Sequence, residues 1–383
     1  MRETRSSGTQ TISKLHSPAY VLEEELLLRN LRLIEEVRKR AGVDIILALK
    51  AFSLWPTFPL IKKYLSGATA SSLWEAELIY REMGCRAHTY AVGYTERDFD
   101  KIAERSSHLS FNSLNQFHHF KNRLPKKLSV GLRINPEYAE VETDLYNPAA
   151  PGSRLGMTAK NLPEVLPERI EGLHFHTLCE SDSHQLARTL EKVEERFGRY
   201  FPQIKWLNMG GGHLMTHEGY DVEHLIDLLR NFRKKHDLKI VLEPGSAVAW
   251  QTGYLLTTVL DIHESAGVKT LILDVSFTAH MPDTLEMPYR PVVRGATDPV
   301  PGKPTYRLGG VSCLAGDYLG EYSFEREIGV GDRLILEDMI HYTMVKTSFF
   351  NGVQHPDIVM RRTDGSYELL RRFGYEDFRG RLG

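Results

Sequence analysis

The chain has 383 residues, of which 42% are hydrophobic and 26% are charged, and its formal net charge is −2. This length exceeds that of a typical single domain and predicts one large domain with a smaller companion. The near-neutral charge gives no general attraction to nucleic acid or to an anionic membrane, and no segment approaches the ~20 apolar residues of a spanning helix. We therefore expect neither a nucleic-acid-binding protein nor a membrane protein.

The N-terminal residues 1–16 are mostly polar and lack the apolar centre of a secretion signal, which predicts a flexible tail. Three cysteines, Cys85, Cys179 and Cys313, are widely spaced and show no metal-ligand pairing. An odd number of unpaired cysteines is typical of a reducing cytoplasm, and we expect no metal site.

A first helix is predicted over 23–40, with Leu27, Leu31 and Ile34 on one face. Short apolar runs then alternate with charged, helix-like stretches, a pattern typical of a parallel sheet buried on both faces. Eight such units in about 200 residues predict a closed (β/α)₈ barrel over 17–250, with an open doubly wound sheet as the alternative. The predicted strands are 45–49, 68–71, 87–91, 108–111, 128–134, 173–175, 206–209 and 240–242.

The pattern changes after Trp250, where strand-like runs are separated by Gly and Pro turns with little helix between them. This predicts a β-rich domain over 251–383, which a strand around 17–22 could join. The stretch 292–304, rich in Pro and Gly, is predicted to be a surface loop. The predicted strands of this domain are 254–262, 270–274, 305–308, 333–336 and 367–370.

Barrel enzymes carry their reactive groups where the strands end, so the residues at these positions are the candidates. Polar or glycine residues stand at five strand ends, and they are the kinds of group that a phosphorylated aromatic cofactor needs. These residues are Lys50, Arg133, His176, the triplet Gly210, Gly211 and Gly212, and Glu243.

Each of these residues also has a purely structural interpretation. Lys50, in ALKAF, would be partly desolvated in a barrel mouth, which lowers its pKa and frees a neutral amine for covalent chemistry, or it could simply reach solvent. Gly210–Gly212 would let backbone N–H groups approach a phosphate, or form only a tight turn. Glu243, in LEPG, would keep a pyridine nitrogen protonated, or cap a helix.

His176, in LHFHTL, could lie flat against a planar ring or be a packed core residue. Arg133, in GLRINP, could orient that histidine and support the cofactor, or form a salt bridge within the barrel. These two residues complete the candidate cofactor site, although each also has a structural interpretation.

In the second domain, GGVSCLAGD places Cys313 and Asp317 in a glycine-flanked loop. The thiol could return a proton to a carbanion and the acid could hold an amino group, although a lone cysteine is structural in most proteins. Tyr342 and Phe350, in HYTMVKTSFFNG, offer a phenol to a phosphate and a wall to a substrate pocket, or are core aromatics.

The ordered set ALKAF, HFH, GGG, EPG, SCLAGD and HYT…FFNG resembles the alanine-racemase-fold, or fold-type III, pyridoxal phosphate decarboxylases, which include ornithine and diaminopimelate decarboxylases. The resemblance covers about 17–352. It implies that Lys50 holds pyridoxal 5′-phosphate covalently and that His176 stacks on its ring. It also implies that Gly210–Gly212 and Tyr342 bind the phosphate and that Glu243 pairs with the ring nitrogen.

The same resemblance implies that Cys313 is the proton donor and that its loop completes the active site of a neighbouring subunit, hence a homodimer. Two departures stand out: Ser246 replaces the usual arginine after EPG, which leaves the role of that position open, and Leu314–Ala315 alters the cysteine motif. The run LDVSFTAHMPDTLEMPYRP, with SPAYVL, HTLCES and MGGGH, resembles the carboxynorspermidine (carboxyspermidine) decarboxylases.

Four acids of the second domain, Asp274, Asp283, Glu286 and Asp317, could attract a polycation that bears one carboxylate, or some could be solvated surface acids. We expect mainly Asp274 and Asp317 to bind substrate. The predicted reaction is decarboxylation of carboxynorspermidine or carboxyspermidine in polyamine biosynthesis. Because one methylene is worth only ~1–3 kcal/mol, the sequence does not rank these two substrates.

Two alternatives stay open at this point. One is a decarboxylase of the same fold that acts on diaminopimelate, arginine or ornithine. The other is a non-catalytic pyridoxal-phosphate-binding protein, which the predicted β-rich domain with Cys313 and Asp317 disfavours.

Overall fold

The computed structural model describes residues 14–141, 144–286 and 289–383. The predicted tail over 1–16 therefore lies mostly outside the described residues. The described chain forms two compact units, one made of Asn30–Val248 and the other of residues 14–29 together with Ala249–Gly383. The predicted boundaries at 17–250 and 251–383 stay predictions. In the described ranges, no helix has both the length and the apolar character needed to cross a membrane.

The sheet of the Asn30–Val248 unit consists of nine strand segments, all parallel, that close into a barrel. Closure comes from the first predicted strand, which is divided at Ile46: Asp44–Ile45 pairs with Lys239–Leu242, and Leu47–Ala48 pairs with Ala68–Ala70. The predicted (β/α)₈ barrel is thus confirmed, and the open doubly wound sheet is wrong. The remaining barrel strands are Ala87–Tyr90, Ser106–Phe111, Ser129–Arg133, Ile170–His174 and Trp206–Asn208.

The predicted first helix spans Glu24–Ala41, with two glutamates in its first turn and Arg38, Lys39 and Arg40 in its last. This charge order complements the helix dipole. Its inner face is fully buried, as the spacing of Leu27, Leu31 and Ile34 predicts. The other helices before residue 250 are the α-helices Phe58–Ile61, Leu73–Leu78, Phe99–Arg105, Leu114–Phe120, Ser183–Phe197, Val222–His236 and Ser246–Ala249, the π-helix Ile79–Met83, and the 3₁₀ turns Trp55–Thr57, Lys121–Arg123, Asp144–Tyr146, Ala159–Asn161 and Gly198–Gln203.

Trp206 fills the N-terminal part of the barrel interior. A Cβ atom added to Gly172 or Gly131 would come within 2.0 or 2.3 Å of its indole ring, so these two glycines make the space that the ring occupies. The indole N–H donates to Ser129 Oγ at 2.9 Å, which satisfies its buried polar group. With this end of the barrel filled, open space remains at the other end, where the strands finish.

The second unit contains a mixed nine-stranded sheet, which confirms the predicted β-rich region. The N-terminal strand Ala19–Glu23 lies inside this sheet, parallel to Asp357–Arg361 and antiparallel to Gly253–Ser265. Ala19, Val21, Tyr254, Leu256 and Val359 form a buried apolar cluster across these three strands.

Two strands of this unit, Tyr318–Phe324 and Asp357–Arg361, are absent from the predicted set. The predicted loop over 292–304 also contains the short strand Ala296–Thr297, which pairs with the end of Tyr318–Phe324. The further strands are Val268–Leu273, Thr305–Gly309, Arg333–Glu337 and Tyr367–Arg371, and the helices are Phe277–His280, Asp283–Glu286, Tyr342–Lys346 and Tyr375–Leu382, with a 3₁₀ turn at Phe350–Gly352.

Candidate active site

A cavity opens at the C-terminal ends of the barrel strands and brings together four of the residues predicted from those ends. Lys50, Arg133, His176 and Glu243 all line it, although they come from strands far apart in the sequence. Parallel strands that close into a barrel end on one rim, which explains this convergence. The complete lining is Ala48, Leu49, Lys50, Thr69, Ser71, Tyr90, Arg133, His174, His176 and Glu243.

Lys50 and His176 contact each other through their polar atoms, with 3.2 Å between Lys50 Nζ and His176 Nε2. The backbone N–H of Gly211 donates to His176 Nδ1 at 2.7 Å, so the imidazole proton must lie on Nε2 and point at the lysine. A neutral amine accepts this hydrogen, whereas an ammonium has no lone pair to do so. Although Lys50 is solvent-accessible at the cavity mouth, the surrounding protein desolvates its amine and lowers its pKa. The charge of Arg133 lowers the pKa further, and the charge of Glu243 opposes this shift. The surroundings therefore favour the uncharged, nucleophilic amine.

Arg133 is 5% exposed and supports the histidine segment from behind. Its Nη2 donates to the carbonyl oxygen of His176 at 3.2 Å, so the contact with that residue goes to the backbone and not to the ring. The guanidinium lies 4.5 Å from the centre of the Tyr90 ring, a cation–π distance. The Tyr90 hydroxyl in turn donates to Asn112 Oδ1 at 2.8 Å. These contacts hold Arg133 in place, and it forms no salt bridge with a carboxylate of the described residues.

Glu243 is 7% exposed and belongs to a polar network that joins two strand ends. Its Oε1 accepts from Asn208 Nδ2 at 2.7 Å, and Asn208 Oδ1 accepts from the N–H of Gly210 at 2.9 Å. Burial raises the pKa of Glu243, while hydrogen bonds from Asn208 and Thr69 and the charges of Lys50 and Arg133 act in the opposite direction. The carboxyl group is therefore fixed in orientation, and its pKa depends on the charges in the cavity.

The Gly210–Gly212 turn has no room for side chains. A Cβ atom would lie 2.5 Å from Phe175 O at Gly210, 2.4 Å from Glu243 O at Gly211 and 2.2 Å from Leu178 O at Gly212. Gly210 and Gly212 also have positive φ values of 68° and 89°. A turn without side chains lets a phosphate approach the backbone. With the Lys50 amine and the Glu243 carboxyl, it fits a phosphorylated pyridine aldehyde.

His174 lines the cavity but was not among the predicted site residues. It is 3% exposed, and neither ring nitrogen has a hydrogen-bond partner among the described residues; Nε2 lies 3.6 Å from Glu243 Oε2. Burial lowers its pKa well below the usual value, and the charges of Arg133 and Lys50 lower it further, which favours the neutral ring. The period of a strand could have identified it, because Gly172 and His174 share the inward face. Tyr90, Thr69, Ser71 and Asn208 were missed as well.

The Cys313 loop lies in the second unit, as do the other candidates from that part of the sequence. Cys313 is exposed, and its backbone N–H donates to Asn351 Oδ1 at 2.7 Å. Asp317 is 4% exposed, and its two oxygens accept from the N–H groups of Thr278 and Ser312, each at 3.0 Å. Asp317 thus binds backbone within its own unit, and its role towards an amino group stays a prediction.

The other candidate acids have partners in the same unit. Asp274 Oδ1 accepts from the Thr257 hydroxyl and the Thr258 N–H at 2.7 and 2.9 Å. Asp283 Oδ2 accepts from the hydroxyls of Tyr289 and Thr343 at 3.0 and 2.7 Å, and its Oδ1 is buried with no partner in the described chain.

Three further candidates of the second unit differ in exposure. Glu286 forms an ion pair with Lys346 on the surface. Tyr342 begins a short helix and is half-buried, whereas Phe350 is 46% exposed. Their roles in binding stay predictions.

His213, which follows the glycine turn, should make the stability of the barrel unit depend on pH. It is 1% exposed, and burial lowers its pKa to about 4. An unfolded histidine titrates near ~6.5, so below that pH the unfolded chain binds a proton that the folded chain does not, and stability falls as the pH falls towards 4. We expect His213→Gln to remove about 2 kcal/mol of the loss in unfolding free energy between pH 7 and pH 5.

Urea unfolding of the apoprotein at both pH values, followed by tryptophan fluorescence, measures this difference. His217→Gln, at an exposed histidine four positions later, is the matched control for replacing a histidine in this segment. An unchanged pH dependence in His213→Gln would show that His213 has the same pKa in the folded barrel as in the unfolded chain, and that burial does not lower it.

Comparison with known proteins places the chain among relatives that match nearly all of it. The family model described as pyridoxal-dependent decarboxylase, C-terminal sheet domain, matches residues 19–340. The chain is 54% identical over 374 residues to a carboxyaminopropylagmatine decarboxylase of Synechocystis sp., with 97% of each chain covered. It is 42% identical to a carboxynorspermidine/carboxyspermidine decarboxylase of Campylobacter jejuni, over 95% of this chain and 98% of that one.

A solved structure also matches nearly the whole chain. The crystal structure of a carboxynorspermidine decarboxylase from Campylobacter jejuni, complexed with norspermidine, matches with a TM-score of 0.90 and 40% identity, covering 96% of this chain and 100% of that chain. The likeness therefore extends over both compact units, and the resemblance drawn from the sequence motifs is confirmed.

Proposed function

Because this chain belongs to the pyridoxal-dependent decarboxylases, we propose that it decarboxylates carboxynorspermidine or carboxyspermidine to norspermidine or spermidine, a step of polyamine biosynthesis. The chain is an enzyme of that family, and its cofactor is pyridoxal 5′-phosphate. The observation that carries the proposal is the meeting of the Lys50 amine, the His176 imidazole and the Glu243 carboxyl at the rim cavity.

The cofactor would be held by residues with distinct tasks. Lys50 offers the amine for covalent attachment, Glu243 the carboxylate for the ring nitrogen, and Gly210–Gly212 with Tyr342 the surface for the phosphate. His176 would lie against the ring, with Arg133 behind it. When bound, the cofactor would supply an electron sink for the α-carbon as carbon dioxide is lost. Cys313 would donate the proton to this carbon.

Recognition of the polyamine would fall to acids of the second unit. The carboxylated polyamine substrate carries several positive charges and one carboxylate, so a set of acidic side chains complements its positive charges. Asp274 and Asp317 are the main candidates, and both are held in place by hydrogen bonds within their unit. Asp283, with a buried oxygen that has no partner in the described chain, supports the same assignment.

Carboxyaminopropylagmatine is a second candidate substrate. The observation that favours it is the 54% identity to the Synechocystis relative, against 42% to the carboxynorspermidine/carboxyspermidine decarboxylase. The candidates differ at the end distant from the carboxylate, where agmatine carries a planar guanidinium and spermidine an ammonium. The chemistry at Lys50 is the same for both.

Kinetics on four substrates test this proposal: carboxynorspermidine, carboxyspermidine, carboxyaminopropylagmatine and diaminopimelate. We expect kcat/KM for at least one carboxylated polyamine to exceed that for diaminopimelate by more than the roughly 10- to 200-fold that one methylene supplies. Release of carbon dioxide, followed continuously, is the measurement. A preference for diaminopimelate would overturn the polyamine assignment, and no release from any substrate would revive a non-catalytic cofactor-binding protein.

We also propose that the enzyme is a homodimer that shares its active sites, working in a reducing cytoplasm. Four large apolar side chains around the Cys313 loop are exposed in the single chain, by 39% at Val311, 49% at Leu314, 45% at Tyr318 and 46% at Phe350. Such a patch is typical of a surface that another chain covers. All three cysteines are free in the described structure, which agrees with a reducing compartment.

A further inference from the structure

The loop that carries Cys313 is fixed firmly at its base. Asp317 Oδ2 accepts from the N–H of Ser312 and Oδ1 from the N–H of Thr278, and the N–H of Gly310 donates to Asp317 O at 2.7 Å. A Cβ atom on Gly310 would lie 2.4 Å from Asp317 Oδ2, so the chain closes tightly around this buried carboxylate. The base of the loop therefore has little freedom.

The tip of the loop is different, because its residues are exposed from Cys313 to Gly316. The hydrogen bond from the Cys313 N–H to Asn351 Oδ1 ties this tip to a segment 38 residues away in the sequence. Within the tip itself, the Leu314 N–H lies at 3.4 Å from Ser312 Oγ, a long contact. The Asn351 contact, at 2.7 Å, is therefore the stronger restraint at the cysteine itself.

Asn351 is suited to this task by its backbone. Its φ of 59° lies in the left-handed region, which asparagine tolerates far better than β-branched or bulky residues do. The carboxamide extends from the turn Phe350–Gly352, and its oxygen accepts from the Cys313 N–H. Asparagine thus supplies both the unusual conformation and the acceptor.

We propose that Asn351 is a positioning residue that sets the place of the Cys313 thiol. This inference rests on the proposed function, in which Cys313 returns a proton to the α-carbon. The backbone position of Cys313 fixes where its Sγ can reach, since only one side-chain torsion lies between them. A misplacement of about 1 Å in a reacting group can cost roughly 10²-fold in rate. Asn351 therefore acts through Cys313 and does not itself touch the reacting atoms.

Two substitutions at this position separate the acceptor from the backbone. Asn351→Gly keeps the left-handed conformation and removes the acceptor, whereas Asn351→Asp keeps an acceptor oxygen in the same place. With the carboxylated polyamine that the wild type turns over fastest, we expect Asn351→Gly to lower kcat by roughly 10- to 100-fold with KM changed by less than about twofold. Asn351→Asp should retain kcat within a few-fold.

Hydrogen–deuterium exchange on the holoenzyme without substrate gives a second readout, independent of turnover. We expect the Cys313 amide to exchange roughly 2- to 10-fold faster in Asn351→Gly, the effect of one lost hydrogen bond, and at the wild-type rate in Asn351→Asp. Faster exchange together with unchanged kcat would overturn the positioning role. Equal loss of kcat in both variants, with lowered melting temperatures, would also overturn it, because Asn351 would then support only the fold.

A different experimental result would show that the proposed catalytic role of Cys313 is wrong. If Cys313→Ala itself keeps wild-type turnover, Cys313 is not the proton donor and the catalytic part of this inference falls with it. The exchange rate of the Cys313 amide would still report whether Asn351 holds the loop. The two failures are therefore distinguished by the cysteine variant alone.

Discussion

Lys50→Ala should abolish both turnover and the visible absorbance that covalent attachment gives the cofactor. The Lys50 amine lies in the cavity next to His176 Nε2, and its surroundings lower its pKa, which favours the neutral form. Alanine leaves nothing at this place that can attack an aldehyde. The measurements are an absorption spectrum with added pyridoxal 5′-phosphate, and borohydride reduction followed by mass spectrometry of the peptide that contains residue 50.

Lys239→Ala is the matched control for this experiment. Lys239 begins the last barrel strand at the opposite end, where its side chain is 57% exposed and pairs with Asp44 at 2.7 Å. This variant should keep the spectrum and the adduct at Lys50. If borohydride fixes the cofactor to another lysine in Lys50→Ala, the assignment of the attachment site is wrong.

The barrel was predictable because its strands are continuous apolar runs that alternate with amphipathic helices in the sequence. The division of the first strand was not predictable, since Ile46 is as apolar as its neighbours and only pairing with both Lys239–Leu242 and Ala68–Ala70 separates the two halves. In the second unit, Tyr318–Phe324 was missed because Gly320 and Glu321 interrupt its apolar pattern. A glycine within a strand weakens the signal that propensity gives.

Those residues of the active site that follow directly from the position of a strand end were predictable. Lys50, His176 and Glu243 each stand at a strand end, so the rim rule finds them without knowledge of their contacts. His174 was accessible to the same kind of reasoning but was passed over in favour of the histidine two residues later. Asn351 could not be predicted by this rule, because its contact with Cys313 joins residues that are 38 positions apart. The contact also depends on the left-handed backbone of Asn351, which the sequence FFNG does not specify.

Cys313→Ala should slow product formation by roughly 10²–10⁴-fold, the range for loss of a positioned acid, while cofactor binding stays as in the wild type. The thiol lies on an exposed loop tip whose base is fixed by Asp317, so its removal should not disturb the fold. Single-turnover kinetics separate the release of carbon dioxide from the protonation that follows. In this variant we expect protonation to be slowed, and not the release of carbon dioxide.

Cys85→Ala is the control, because Cys85 is also a free cysteine but lies in the barrel unit outside the cavity lining. Mixing Lys50→Ala with Cys313→Ala then tests the shared site. If Cys313 serves the neighbouring subunit, a mixed dimer contains one site with both residues intact, and activity should reappear on mixing two nearly inactive proteins. Activity that stays at the level of the separate variants would instead mean that each chain uses its own Cys313.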